Sequence, residues 1–290
     1  MNNIKNQAHL SGKDVKRLNF IKDSDRYVFR KFYRSGLRSH IFALLMAGDV
    51  EKESHGVMDD GIRIFPRARP VKMFRIFRNR FGSTQEIFQE IRRYKNVLSY
   101  LGPEFIALSE EFIADYKDKS GNCRMLLCGL QEYVDGQILD PWRLSGPENI
   151  SALFSVMAHD LDDDIRLQRA LENISVFITR VRQLMAETGY IPDLAGVGNL
   201  ILTPEGGIKL VDINNIIEIK ADKYIHLDDK GYPTCDVSVQ VLASIEKAIL
   251  NQDNSKTDPL FKLFLTPDRL AQVSALEQAF YRQLNAGVCA

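Results

Sequence analysis

The segment Ile191–Ile213 of this 290-residue chain reads IPDLAGVGNLILTPEGGIKLVDI. Two short apolar runs within it, LIL and IKLV, flank a Pro-Glu-Gly-Gly turn, which predicts a β-hairpin. Asp193 precedes a glycine-containing loop, Asn199 begins the first strand, and Asp212 ends the second. Because a hairpin returns its second strand to the start of its first, Asn199 and Asp212 are expected to lie side by side.

These three side chains offer the groups that phosphoryl transfer needs. Asn and Asp oxygens are hard ligands of the kind that Mg²⁺ prefers beside phosphate oxygens. The carboxylate of Asp193, at the mouth of the loop, can accept a proton from an attacking hydroxyl or orient it. Phosphoryl transfer depends mainly on metal, positioning and charge neutralisation, so the segment indicates a site of this kind.

The pattern outside this segment is mixed. A helix with apolar residues at helical spacing is predicted from a cap at Ser83 or Thr84 to Leu101. The run His40–Ala47 fits either a helix or a buried strand, and Gly48–Gly61 is polar and turn-rich. The other predicted elements are strands at Arg26–Tyr33, Ile62–Phe65, Val71–Phe77, Phe105–Ala114, Arg124–Tyr133, Leu200–Leu202 and Ile208–Val211, and helices at Asn149–His159, Asp164–Thr188, Asp236–Leu250 and Pro267–Leu284.

The order of these elements predicts an α+β fold with two lobes. Strands and helices do not alternate throughout, which argues against a Rossmann sheet. We expect a small β-rich N-lobe with one helix and a larger helical C-lobe. Residues 1–60 would form an N-terminal extension and the start of the N-lobe, 61–134 the N-lobe, and 135–290 the C-lobe.

The hairpin segment also resembles the catalytic loop and metal-binding strand of the protein kinase-like superfamily. Asp193 and Asn199 match its Asp…Asn loop, and thirteen residues lead from Asn199 to Asp212, the spacing usual in that family. The superfamily includes protein kinases, RIO-type kinases, aminoglycoside and choline phosphotransferases, and bacterial lipopolysaccharide kinases. The resemblance implies a bilobal kinase-like fold, ATP and Mg²⁺ as cofactors, Asn199 and Asp212 as metal ligands, and Asp193 as a catalytic residue.

Two residues of the N-lobe resemble the family's phosphate-binding pair. Lys72 resembles the strand lysine that contacts ATP phosphates, with Lys31 as a rival on another strand. Glu90 resembles the helix glutamate that pairs with that lysine, with Glu86 as its rival. Glu90 lies one helical step from Ile87 on the apolar side of the helix, where a carboxylate needs a cation.

Two further landmarks follow in the expected order. Gln131, Glu132, Tyr133 and Val134 resemble the hinge between lobes, whose backbone groups hold adenine in the family. Asp236 resembles the aspartate that braces the catalytic loop from a buried helix, and a plain N-cap is equally consistent with its position. The resemblance covers roughly residues 60–250.

The chain also departs from the family pattern. Five residues instead of four separate Asp193 from Asn199, and Ile191 stands where a histidine is common. No glycine-rich phosphate loop precedes Lys72, where Gly56 and Gly61 are only possible remnants, and no Ala-Pro-Glu segment follows the hairpin. These departures favour a second hypothesis, a pseudokinase that binds nucleotide or protein partners without phosphoryl transfer.

Bulk properties narrow the range of partners. The 38 basic and 38 acidic residues balance, so no DNA partner is expected. The basic stretch 63–80, interleaved with phenylalanines, fits strands with a solvated cationic face or, as the alternative, a phosphate-rich partner. No apolar stretch of membrane-spanning length and no CxxC pair are present, which predicts a cytoplasmic protein without zinc. The acceptor remains open among small hydroxylated molecules, lipopolysaccharide sugars and proteins.

Overall fold

The structure is a computed structural model that describes residues 10–18, 20–22, 25–32, 38–78, 81–117 and 123–286. It divides into two compact units. The first unit contains the described residues within 1–91 and 108–133, and the second contains those within 92–107 and 134–290.

Strands and helices are numbered in chain order. The strands are β1 Tyr27–Lys31, β2 Ser39–Met46, β3 Val57–Asp59, β4 Ile62–Ile64, β5 Lys72–Phe77, β6 Ser109–Lys117, β7 Cys123–Gln131, β8 Gln137–Ile138, β9 Tyr190–Pro192, β10 Leu200–Leu202, β11 Ile208–Leu210 and β12 Ile216–Glu218. The helices are α1 Gly12–Lys16, α2 Ala47–His55, α3 Thr84–Leu101, α4 Pro147–Phe154, α5 Asp163–Thr188, α6 Thr234–Leu250, α7 Pro259–Phe264 and α8 Pro267–Asn285, with 3-10 turns at Pro141–Arg143 and Asn254–Lys256.

The first unit is built on a five-stranded antiparallel sheet in the order β1-β2-β5-β7-β6. One face packs with the N-terminal segment, where Val15 of α1 is fully buried together with Phe74 and Ile76 of β5. The other face packs against α3 through Ile87, which contacts the cluster of Phe77 and Leu127. Both faces are therefore apolar, and alternate residues of β5 enter different clusters.

The predicted elements of this unit are largely confirmed. The helix from Thr84 to Leu101 has the predicted bounds, and Ser83 Oγ accepts a hydrogen bond of 3.3 Å from the Glu86 N–H. The run His40–Ala47 lies in strand β2 as far as Met46, and the 105–133 hairpin forms as β6 and β7. Residues 118–122 of its predicted turn lie outside the described residues.

The polar segment Gly48–Gly61 was expected to be turn-rich, and this prediction was wrong. It holds α2 and the start of the β3–β4 hairpin. No residue of α2 is buried, so the helix carries no apolar periodicity that a sequence pattern could reveal. Helix α1 was also not predicted, so the first unit contains more than the single expected helix.

Of the basic stretch 63–80, the structure describes residues 63–78, and Arg80 lies outside the described residues. Arg75, Phe74 and Phe77 are buried on the sheet, whereas Arg67 is exposed. Arg63 and Arg69 are exposed like Arg67, so the residues before β5 are solvated and cationic, whereas those on β5 are structural.

The second unit is organised around the long helix α5. Asp162 caps its start, and Gly189 ends it in the left-handed conformation at φ 71°. Buried residues of α5 such as Phe177 and Val181 share one core with α6, α4 and the C-terminal half of α3. The predicted hairpin at 200–211 is confirmed as β10 and β11, with Leu200 opposite Leu210.

The α+β class is thus confirmed, with a sheet-based N-terminal region and a helical C-terminal region, as expected for a kinase-like fold. Among the described helices, none combines the length and apolar character required to cross a membrane.

Candidate active site

Asp193 is held at the start of the loop that follows β9. Strand β9 pairs with β12, and the Asp193 N–H donates to the Asn215 carbonyl at 2.9 Å. One carboxylate oxygen of Asp193 accepts from the Ala195 N–H at 2.9 Å, and the other accepts from Asn215 Nδ2 at 2.8 Å. The side chain is only 8% exposed, so these bonds set the orientation of a largely buried carboxylate.

Asn199 closes the same loop. Its Nδ2 donates to the Asp193 carbonyl at 2.9 Å, and its own carbonyl accepts from the Val211 N–H at 2.8 Å. Because the amide nitrogen is committed to Asp193, the amide oxygen is the atom that Asn199 can offer to a cation. Gly196 provides the space, since a Cβ there would lie 2.6 Å from the Asn199 amide atoms.

Asp212 follows β11 and is the second of the two expected metal ligands, after Asn199. The Val211–Asn199 bond places it at the same end of the hairpin as Asn199. Its Oδ1 accepts a long hydrogen bond of 3.4 Å from the Asn214 N–H, and the residue is half-buried. A carboxylate and an amide oxygen suit Mg²⁺ whose other ligands are water and phosphate oxygens. Within the described ranges, no group of three or more His, Cys, Asp and Glu side chains could hold a metal alone.

The loop is supported from α6 by Ser238, not by Asp236. Ser238 Oγ accepts from the Leu194 N–H at 3.1 Å and is fully buried. Asp236 instead forms a buried ion pair with Arg269, with Nε to Oδ1 at 2.5 Å. The expected brace therefore comes from the residue two positions further along the helix.

Sequence reasoning did not find Asn215 or Ser238. Both act through contacts made only when distant segments pack, since Asn215 follows β11 and Ser238 lies on α6. Asn215 carries one weak signal, namely its place in the polar pair that follows Asp212 and Ile213.

In the first unit, Lys72 and Glu90 are not brought together. Lys72 and Phe74 are two residues apart on β5, so their side chains lie on the same face of the sheet, the face that packs with α1. Glu90 lies on α3, which packs against the opposite face. Arg75 and Phe77 are also two residues apart, so Arg75 lies on the face of β5 that packs against α3. Its guanidinium lies 5.7 Å from the Phe77 ring centroid. The buried cation on the helix side of the sheet is thus Arg75, which is 3% exposed.

Arg75 and Glu111 lie on the two strands that flank Gly129 of β7. Arg75 on β5 and Glu111 on β6 are both register partners of Gly129 on β7, so the three lie in one row. A Cβ at Gly129 would lie 3.0 Å from Ser109 Oγ, which is tighter than most real contacts, and at an ordinary 3.7 Å from Glu111 Oε1. Burial raises the pKa of Glu111 to about 7, Arg75 lowers it, and Glu90 raises it further.

The Glu111→Gln substitution is expected to remove a pH dependence of stability. The pKa of Glu111 in the folded protein, about 7, exceeds its ordinary value of 4.5. Glu111 therefore contributes stability that is fully present below pH 4.5 and is lost as the pH rises through 7. Wild type should lose about 2 kcal/mol relative to the variant between about pH 5 and about pH 8. Urea denaturation at both pH values measures it.

Glu110→Gln is the matched control for Glu111→Gln, because Glu110 is the exposed neighbour on the other face of β6. It should keep the wild-type pH slope. Equal slopes for wild type and Glu111→Gln would contradict the assignment of this titration to Glu111.

The predicted hinge residues lie where the first unit ends. Gln131 is buried, and its Oε1 accepts from Arg75 Nη1 at 3.1 Å. The Glu132 N–H donates to the Leu108 carbonyl at 2.7 Å, and Glu132 Oε2 accepts from the Leu108 N–H at 3.2 Å. Tyr133 and Val134 are half-buried, and in the chain Tyr133 is the last residue of the first unit while Val134 resumes the second.

No protein-family model matches this chain. No curated protein matches it at the significance required. Among solved structures it is similar to the ROP18 kinase domain in complex with AMP-PNP and sucrose, with 12% sequence identity over 88% of this chain and 82% of that chain, and a TM-score of 0.37.

Proposed function

We propose that this protein is an ATP- and Mg²⁺-dependent phosphotransferase of kinase-like type that acts on a hydroxyl acceptor. Asn199 and Asp212 would hold Mg²⁺ beside the nucleotide phosphates. Asp193 would orient the acceptor hydroxyl and take its proton. When bound, Mg·ATP supplies the phosphoryl group and neutralises part of its charge.

The observation that carries this proposal is the double hydrogen bonding of Asn199. Its side chain is tied to the Asp193 carbonyl and its backbone to the Val211 N–H. One residue thereby sets the spacing between the candidate base and the candidate metal carboxylate. A buried carboxylate on one side of this residue and a second carboxylate on the other supply the base and the metal ligand that phosphoryl transfer uses.

The first unit supports the nucleotide part of the proposal in a revised form. Lys72 and Glu90 were expected to bind and orient the phosphates, and they lie on opposite faces of the sheet. Arg75 is the cation on the α3 side, and Glu111 and Gln131 contact or face it there. Gln131 through Val134 remain the proposed adenine-binding segment.

Thermal denaturation tests nucleotide binding directly. Purified protein is expected to melt at a higher temperature with Mg·ATP than with ATP and EDTA, because ligands that bind only the folded state stabilise it. Asp212→Asn should reduce the Mg²⁺-dependent part of the shift. Asp160→Asn, a change at an exposed aspartate of the same unit, should leave it intact. Wild type without any Mg·ATP shift would overturn the proposal.

A second candidate, a pseudokinase, is favoured by one specific feature of Asp193. Both of its carboxylate oxygens already accept hydrogen bonds, from Ala195 and Asn215, within a loop one residue longer than usual. A carboxylate engaged in this way has fewer lone pairs left to receive a substrate hydroxyl. If nucleotide binds while wild type and Asp193→Ala show equally negligible ATP turnover, the pseudokinase function is the correct one.

A further inference from the structure

Trp142, the single tryptophan of the chain, lies beside the Asp193 loop. It occupies the 3-10 turn Pro141–Arg143, and 46% of it is exposed. A single exposed apolar residue is ordinary on a protein surface, but an indole whose ring is hydrogen-bonded to the candidate catalytic loop offers a ligand an oriented aromatic face.

The indole is held in a defined orientation. Its turn is anchored by buried Pro141 and Leu144, and Asp140 Oδ1 accepts from the Trp142 N–H of the backbone at 3.0 Å. The ring Nε1–H donates to the Ala195 carbonyl at 3.4 Å. The polar edge of the indole is therefore turned to the protein, and its exposed part is apolar ring surface.

Ala195 links the indole to Asp193. Its carbonyl accepts from the ring of Trp142, and its N–H donates to Asp193 Oδ1. Val197 of the same loop is 50% exposed and adds apolar surface. A polar rim is also present, since Arg143 Nε lies 3.5 Å from Asp140 Oδ2 and the Arg143 side chain is 87% exposed.

We infer that Trp142 is the platform for the acceptor, and that the acceptor is a pyranose sugar. This inference rests on the proposed function. A pyranose has faces of C–H groups, which are attracted to the negative face of an aromatic ring, and hydroxyls around its edge. Apolar stacking with a few polar contacts is the usual composition of a small-molecule site. Arg143 and Asp140 would bind edge hydroxyls, and another hydroxyl would face Asp193.

The proposed reaction needs only the sugar and ATP as reactants. The sugar hydroxyl oxygen forms a bond to the γ-phosphorus of ATP as the bond to the ADP oxygen breaks. The hydroxyl proton passes to the Asp193 carboxylate, and the products are a sugar phosphate and ADP.

Tryptophan fluorescence tests the inference without ATP, because Trp142 is the only emitter of its kind. Methyl pyranosides of several hexoses should produce a saturable change in emission. Sorbitol, a linear polyol, and a serine-containing peptide should not. No saturable change with any pyranoside, an equal change with sorbitol, or a change with the peptide alone would overturn the inference.

Kinetics with a responding pyranoside separate a platform from a structural role. Trp142→Ala should raise the sugar KM at least about tenfold with a smaller effect on kcat, and Trp142→Phe should recover most of the loss. Val156→Ala, at an exposed apolar residue of the same unit, is the control. The Mg·ATP thermal shift should be unchanged in both Trp142 variants. A fall in kcat alone would count against the platform, and a missing shift in wild type identifies failure of the proposed function instead.

Discussion

The Asp212→Ala variant is expected to lose phosphoryl transfer by about a thousandfold or more, measured as ATP turnover with the responding acceptor. Asp212 is the only one of the two proposed metal ligands that carries a charge. Without it, the Asn199 amide oxygen alone would face Mg²⁺, and a single neutral ligand holds a divalent cation poorly. The β10–β11 hairpin should survive, because Asp212 follows β11 and its pairing depends on Leu200, Leu210 and their neighbours.

Two further variants serve as controls for Asp212→Ala. Asp212→Asn keeps the shape of the side chain and removes its charge, and it should lose nearly as much activity as alanine. Asp160→Ala removes an exposed aspartate of the same unit and should retain activity. An Asp212→Ala protein that turns over within a few fold of wild type would exclude the metal role assigned here.

Replacing Arg269 with methionine is expected to destabilise the protein by about 3–5 kcal/mol, measured by urea denaturation. Arg269 is 6% exposed and Asp236 is 1% exposed, so the variant leaves a carboxylate buried without its counter-charge. Arg269 also donates from Nη1 to the Asp222 carbonyl at 2.7 Å and from Nη2 to the Tyr224 carbonyl at 3.1 Å. The segment before α6 should therefore loosen together with the ion pair.

A double-mutant cycle identifies the source of that loss. Burial raises the pKa of Asp236 even though Arg269 lowers it, so the ion pair itself is costly to desolvate. Asp236→Leu combined with Arg269→Met should therefore be more stable than Arg269→Met alone. If the two single losses simply add, the cost does not come from an unpaired buried charge, and this interpretation is wrong. Lys262→Met, on α7, removes a cation with no such buried partner and serves as the control.

Features that depend on neighbouring residues could be predicted from the sequence, whereas features that depend on distant contacts could not. Helix α3 was predicted to its ends because its apolar spacing and its cap are both written in neighbouring residues. Helix α2 was missed because a helix without buried residues has no apolar spacing to detect. Strand β5 was found, but both sheet faces are apolar, so alternation could not show which residues face α3. Lys72 was chosen for its resemblance to the family's strand lysine, and the side chain of β5 on the α3 side is that of Arg75.

The chain by itself determined the hairpin and the relation of Asn199 to Asp212. Turn chemistry and strand length act over a dozen residues, so register follows from sequence. Tertiary structure alone decided which groups surround Asp193. Asn215 reaches it through the β9–β12 pairing, and Ser238 holds the next residue from α6. These contacts join segments separated by tens of residues, and their geometry depends on how the core packs, which no local pattern specifies.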